Sequence, residues 1–198
     1  MSPPFEASLA SIARHEFSTE ERKLLLHIAH DAILSLLEGR ELSILTPSAH
    51  LSELRGAFTT LYLNGTLRGC VGYPAPFAPL YRAVVETARA AAIEDPRFVP
   101  VTIDEATKLR VSLSILSTLQ PIAAEQIVVG QHGVVISQGS HRGLLLPQVP
   151  VEHQWDRITF LEQTCLKAGL PPTAWRVGEG TKIEAFTAEV FGDQESEG

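Results

Sequence analysis

Two cysteines carry the sharpest reactive potential in this 198-residue chain, and their surroundings differ. Cys70 stands in the run Leu67-Arg68-Gly69-Cys70-Val71-Gly72, two residues after a cation and between two glycines. The thiolate is the reactive form of cysteine, and a neighbouring cation favours it. Cys70 is therefore a candidate nucleophile or redox thiol, with Arg68 its activator or an anion-binding group. The competing reading is a small buried hydrophobe, a common role for free cysteine. Gly69 and Gly72 leave strand backbone uncovered, which marks a bulge or a place where something approaches the main chain. Cys165 lies at helical spacing from Ile158 and Leu161 and reads as core. A nucleophilic cysteine needs a base, and His132 and His141, both in glycine-flanked segments, are the candidates. Each serves equally well as a turn residue.

Two further segments offer polar groups. Glu94-Asp95-Pro96-Arg97 sets two carboxylates and a guanidinium around a helix-ending proline, either as a solvated helix terminus or as a clamp beside a ligand cleft, with Asp95 and Arg97 the candidate contacts. In Leu146-Pro147-Gln148 the proline ends a strand and Gln148 presents an amide to a ligand. Glycine-rich phosphate loops, HExxH, GxSxG and paired-cysteine metal patterns are missing, so nucleotide-binding, zincin, α/β-hydrolase and zinc-finger readings have no support.

These residues must be positioned by regular elements. Ser18 and Glu21 have capping-box spacing ahead of an apolar helical stripe through Leu25, Ile28, Ala32, Ile33 and Leu36, with Gly39 as the stop. His27 and His30 on this helix read as solvated or boundary residues. The segment 57–72 holds two β-rich runs around Asn64-Gly65, the pair favoured in a type I′ hairpin turn. A two-residue loop would pair Leu63 with Thr66, Leu61 with Arg68 and Thr59 with Cys70, placing Arg68 and Cys70 side by side. After a turn region at 72–77, Pro79 opens a second, alanine-rich helix that ends near Asp95-Pro96. Residues 108–117 alternate strictly and predict a strand. Glycine turns at Gly130, Gly133 and 137–140 divide further strands, a third helix runs from Trp155 to Ala168, and 182–191 predicts one terminal strand. Connections too short for repeated βαβ crossovers favour an α+β fold with an antiparallel sheet.

Composition sets the frame. Length fits one domain, expected over 18–192 with an N-terminal extension at 1–17 and a flexible tail at 193–198. The formal net charge of -7, with only four lysines, makes nucleic acid an unfavoured partner, because that affinity rests on clustered cations. No apolar run is long enough to span a bilayer, so no membrane partner is expected. Two cysteines without CxxC spacing, and no signal-peptide pattern, point to the cytoplasm.

The chain also resembles the AMMECR family nearly throughout. The resemblance rests on LRGCVG (Leu67 to Gly72), GAFTTL, AAIEDPRFVPVT, VSLSILS, VGQHGVVI, RGLLLPQVPVEHQWD and FLEQTCLKAGLPPTAW, in that order. The usual LRGCIG stands here as LRGCVG, a change of one methylene. What the resemblance implies is a compact α+β domain whose antiparallel strands and helices frame a cleft near the LRGC strand. It also implies a place as the A component of an AmmeMemoRadiSam system beside a Memo-type protein and a radical-SAM protein, with no metal or organic cofactor assigned to this component. Three functions follow as expectations. The first is an accessory component binding a partner or small ligand through a cleft around Arg68, Cys70 and Gln148. The second is a cysteine-dependent enzyme or redox protein with Cys70, Arg68 and His132. The third is a nucleic-acid-binding regulator.

Overall fold

Helix α1 (Thr19–Glu38) begins as its sequence predicts: the Ser18 side chain accepts from the Glu21 N–H, and the Glu21 carboxylate accepts from the Ser18 N–H. The computed structural model describes residues 16–44, 47–176 and 180–193, so most of the expected extension and all but Asp193 of the expected tail lie outside the described residues. Strands β1 (Leu54–Leu63) and β2 (Thr66–Pro79) form the expected hairpin. Its turn residues, Asn64 and Gly65, have φ of 52° and 78°, the two positive values that a type I′ turn needs. Helix α2 (Leu80–Ile93), the short helix α3 (Ile103–Ala106) and strand β3 (Leu109–Leu116) follow.

The first sheet has the order β2-β1-β3-β8, with β8 (Ala188–Gly192) supplied by the C-terminal end of the described chain. One face carries Ala57, Leu61, Val111, Leu113 and Ile115 and packs under α1 and α2 through Leu25, Ile28, Ile33, Val84 and Ala88. Each fully buried leucine there contributes about 2 kcal/mol. The buried hydroxyls of Thr59 and Thr87 satisfy each other across this layer at 2.8 Å.

A second sheet, ordered β4-β7-β5-β6, contains β4 (Gln120–Pro121), β5 (Gly133–Gln138), β6 (His141–Leu145) and β7 (Lys182–Phe186). Helix α5 (Arg157–Lys167) covers one face with Phe160, Leu161 and Cys165 against Val134, Ile136 and Leu145. Helix α4 (Gln148–Glu152) connects β6 to it. The opposite face brings Val135 and Phe186 onto Leu116 and Phe58 of the first sheet. All strand pairs are antiparallel, and the two layered sheets make one α+β domain.

Three details depart from the sequence reading. The terminal strand is two strands: the chain leaves the second sheet at Thr187 and enters the first, anchored where Ser117 N donates to Thr187 O (2.9 Å) and Thr187 N to Ser117 Oγ (3.0 Å). Alternation continues through the switch, so the pattern hides it. The third helix starts at Arg157 because Asp156, not Trp155, caps it, accepting from Thr159 N at 2.7 Å. The hairpin register shifts at Arg68. Leu63 pairs with Thr66 and Tyr62 with Leu67, but Leu61 pairs with Gly69 and Thr60 with Cys70. Arg68 is the extra residue of a β-bulge. Among the described residues, no helix is long and apolar enough to cross a membrane.

Candidate functional site

The bulge decides which face Cys70 occupies. Opposite Thr59 it would lie beneath the helices; opposite Thr60 it joins the other, open face of the first sheet. Thr60 also pairs with Ser112, which pairs with Gly192, so a row of small polar groups crosses the sheet beside Cys70. The next row brings Tyr62 beside Arg110. Together with Ser112, Gly192 and Asp193 they line a concavity of about 450 Å³. Cys70 is half-buried, and its Sγ lies 3.2 Å from Thr60 Oγ1. Gly72, opposite Phe58, leaves room for that ring to lie across the strand, since a Cβ there would fall 2.2 Å from it.

Arg68 does not point along the strand toward Cys70. Its Nε and Nη2 reach the two oxygens of Glu105 at 3.1 and 3.0 Å, while Nη1 donates to Val99 O (2.8 Å) and Nη2 to Pro100 O (3.3 Å). The guanidinium thus bolts the bulge to the loop before α3. Glu105 is itself preset by the Thr102–Glu105 capping box of α3. Glu105 and Thr60 are the members of this site that the sequence reading did not single out. Thr102-x-x-Glu105 spacing was the available signal for the first, and Thr60 had none without the register. Arg68 holds the Glu105 carboxyl down from its ordinary value near 4.5 to about 2, helped by the Thr102 N–H. A carboxyl depressed in the folded state contributes stability that is complete above its unfolded pKa and disappears as pH falls through the folded one. The pair is expected to lose its contribution between about pH 4.5 and pH 2. Urea titrations from pH 7 to 2 should show a flatter acid limb for Arg68→Met than for the wild type, and equal limbs would refute the assignment.

Asp95 and Arg97 do meet Cys70. Strand β2 lies at the sheet edge, and the outward N–H of Cys70 donates to Asp95 Oδ2 at 2.8 Å, the carboxylate replacing a missing neighbour strand. Arg97 clasps the same carboxylate through Nε (2.9 Å), Nη2 (2.6 Å) and its own N–H (3.1 Å). That guanidinium, with the Cys70 and Arg97 N–H groups, holds the buried Asp95 carboxyl well below the usual carboxylate range. The cation in electrostatic reach of Cys70 is thus Arg97. Gly69 sits on the helix side, against the Ala91 carbonyl.

His132 belongs to the second sheet, just before β5, and its Nδ1 accepts from Val128 N at 3.1 Å. Burial lowers its pKa, favouring neutral imidazole. His141 bonds Ala168 O at 3.3 Å. Gln148 is exposed at the start of α4. The strand, the Asp95–Arg97 clasp and Arg68–Glu105 therefore form one cluster, while His132 and Gln148 stand on other elements. Among the described residues, no group of three or more histidine, cysteine, aspartate or glutamate side chains is placed to hold a metal ion.

A family model described as AMMECR1 matches residues 26–191, a span that contains this entire cluster. The chain belongs to the AMMECR1 family. Similar proteins include one from Methanopyrus kandleri, 41% identical over 92% of this chain and 93% of its own length. Another, from Methanocaldococcus jannaschii, is 42% identical over 90% and 93%. The crystal structure of an uncharacterized Pyrococcus horikoshii protein is 40% identical, with a TM-score of 0.66 over 86% of this chain and 90% of that one. The AMMECR1 domain of this chain thus shares its α+β fold with a solved relative.

Proposed function

We propose that this AMMECR1-domain protein is an accessory, binding component of an AmmeMemoRadiSam-type system. It engages a Memo-type or radical-SAM partner, or a small ligand, through the open sheet face around Cys70. The observation that carries this reading is the engagement of the charged groups with one another: Arg68 with Glu105, and Arg97 with Asp95. Thr60, Cys70 and Ser112 remain as a row of neutral polar contacts. Such a preorganised surface suits recognition. A reducing compartment, the cytoplasm, suits two free thiols, and the net charge of -7 leaves nucleic acid the least suited occupant.

The test is calorimetric binding of the full chain to its system's Memo-type and radical-SAM proteins. Thr60→Arg is expected to weaken one of these interactions about ten-fold or more, an amount typical of losing a well-packed contact, while Cys70→Ser leaves it within a few-fold. Unchanged binding by Thr60→Arg would move the surface elsewhere.

A second reading, cysteine chemistry, draws on the nearness of Arg97 to Cys70. Here Cys70 is the nucleophile or redox thiol and Arg97 the cation that favours its thiolate. Arg68 positions the strand, and His132 serves as acid or base through Nε2. Cys165 supplies an internal control, because it is fully buried and burial pushes its thiol pKa up. Under native conditions Cys70 should alkylate about a hundred-fold faster than Cys165. On this reading Arg97→Ala shifts the Cys70 pH profile upward and Arg68→Ala shifts it less. An Arg97→Ala profile identical to the wild type removes the activated thiol, and with it this alternative.

A further inference from the structure

Arg55, at the start of β1, is a buried cation with a donor left over. Its side chain is only 7% exposed. Nη2 is shared by the carboxylates of Glu16 and Glu53, and Nη1 donates to Leu116 O at 3.4 Å. Nε has no hydrogen-bond partner among the described residues. Arg55 lines a cavity of about 120 Å³ enclosed by the four-residue excursion of β2, where Pro74 to Phe77 stand against Gly56, and by the link from Leu116 to Leu119. Its other walls include Leu54, Pro74, Pro76, Leu119 and Phe186.

The two hydroxyls at the rim are already engaged. Ser117 Oγ donates to Thr118 O and accepts from Thr187 N, and Thr118 Oγ1 accepts from Gln120. A buried water normally makes two to four hydrogen bonds, and the side chains around this space have one unused donor to give it. An apolar cavity of about 150 Å³ accommodates a molecule of six carbon atoms, so this slightly smaller one suits five or six heavy atoms. Charge selects further. One guanidinium already faces two carboxylates, so an entering anion meets a cluster that is negative in sum, whereas a neutral acceptor meets only the Nε–H.

We propose that this cavity binds a small, neutral, branched apolar molecule through a carbonyl oxygen that accepts from Arg55 Nε–H. The site lies apart from the Cys70 cluster and stands independently of the function proposed above.

The experiment is a nitrogen-proton correlation titration of the full chain with three probes of similar shape: methyl isopropyl ketone, isobutyrate and isopentane. The ketone is expected to shift the Arg55 Nε–Hε signal and the Gly56 and Leu119 amides saturably, at about millimolar concentration as ligands of this size allow. Isobutyrate should bind about ten-fold more weakly, and isopentane should leave the Nε–Hε signal in place. Leu119→Trp, which fills the cavity without touching the ion pairs, should abolish the ketone response in a protein whose remaining spectrum is intact. Absence of saturation by the ketone overturns the proposal, as does a response retained in Leu119→Trp. Equal affinity for isobutyrate overturns the neutral-acceptor assignment.

Discussion

Gly69→Ala is expected to be the most damaging single-methyl addition in the chain, costing about 3 kcal/mol or more and lowering the urea midpoint accordingly. A Cβ at this position would lie 2.1 Å from the carbonyl oxygen of Ala91, well inside any real contact distance. The obstacle is helix backbone, so rotation of a side chain offers no relief. Either β2 must lift from α2, opening the layer around Val84 and Ala88, or the last turn of α2 must deform. Gly72→Ala provides the contrast. Its Cβ would meet the Phe58 ring at 2.2 Å, and a ring can move or be replaced. Adding Phe58→Leu is therefore expected to recover part of the Gly72→Ala loss, while no neighbouring side-chain substitution recovers Gly69→Ala. A Gly69→Ala protein that unfolds at the wild-type urea concentration would show that β2 and α2 are not in this contact.

Asp95→Ala carries the second large effect. The Asp95 carboxylate closes an exposed strand edge and holds a guanidinium at the same time, so alanine leaves the Cys70 N–H without its acceptor and Arg97 without its clasp. An orphaned amide in a half-buried setting is more costly than the net value of the bond itself. The melting temperature should fall by roughly 5 °C or more for a chain of this size. Asp95→Asn keeps an oxygen for the Cys70 N–H but surrenders the charge, and should fall between alanine and wild type. Hydrogen exchange supplies the local readout: the Cys70 amide should lose protection in Asp95→Ala and keep most of it in Asp95→Asn. The sign of the pH dependence follows from the same bonds. Because the Asp95 carboxyl is held below its ordinary range by Arg97, its contribution is complete at neutral pH and is lost as pH falls through the acid range. The wild type should therefore lose stability in acid more steeply than Asp95→Asn, and parallel acid profiles would argue against the clasp.

Much of the architecture is legible because its causes are local. The Ser18–Glu21 capping box sets the start of α1, Asn64-Gly65 closes the hairpin, and alternation from Leu109 to Ile115 sorts β3 into a helix-facing and an open side. Each depends on residues within a few positions of one another, where side-chain type and backbone preference act directly. The α+β class follows from the same signals, and the AMMECR resemblance places Cys70, Asp95 and Arg97 in the blocks that the fold then assembles.

What the tertiary structure alone decided concerns register and sheet membership. Arg68 enters a bulge because its guanidinium finds Glu105 and the Val99 and Pro100 carbonyls 31 to 37 residues away. That single extra residue turns Cys70 from the helix-facing side to the open face, where it meets Thr60. Arg97 replaces Arg68 as the cation near the thiol because Asp95, docking on the strand edge, carries Arg97 with it. The run 182–191 splits between two sheets at Thr187, although its alternation never falters. A period of two is blind to one inserted residue and to a change of partner. Both are settled by long-range hydrogen bonds and packing, which no local pattern encodes.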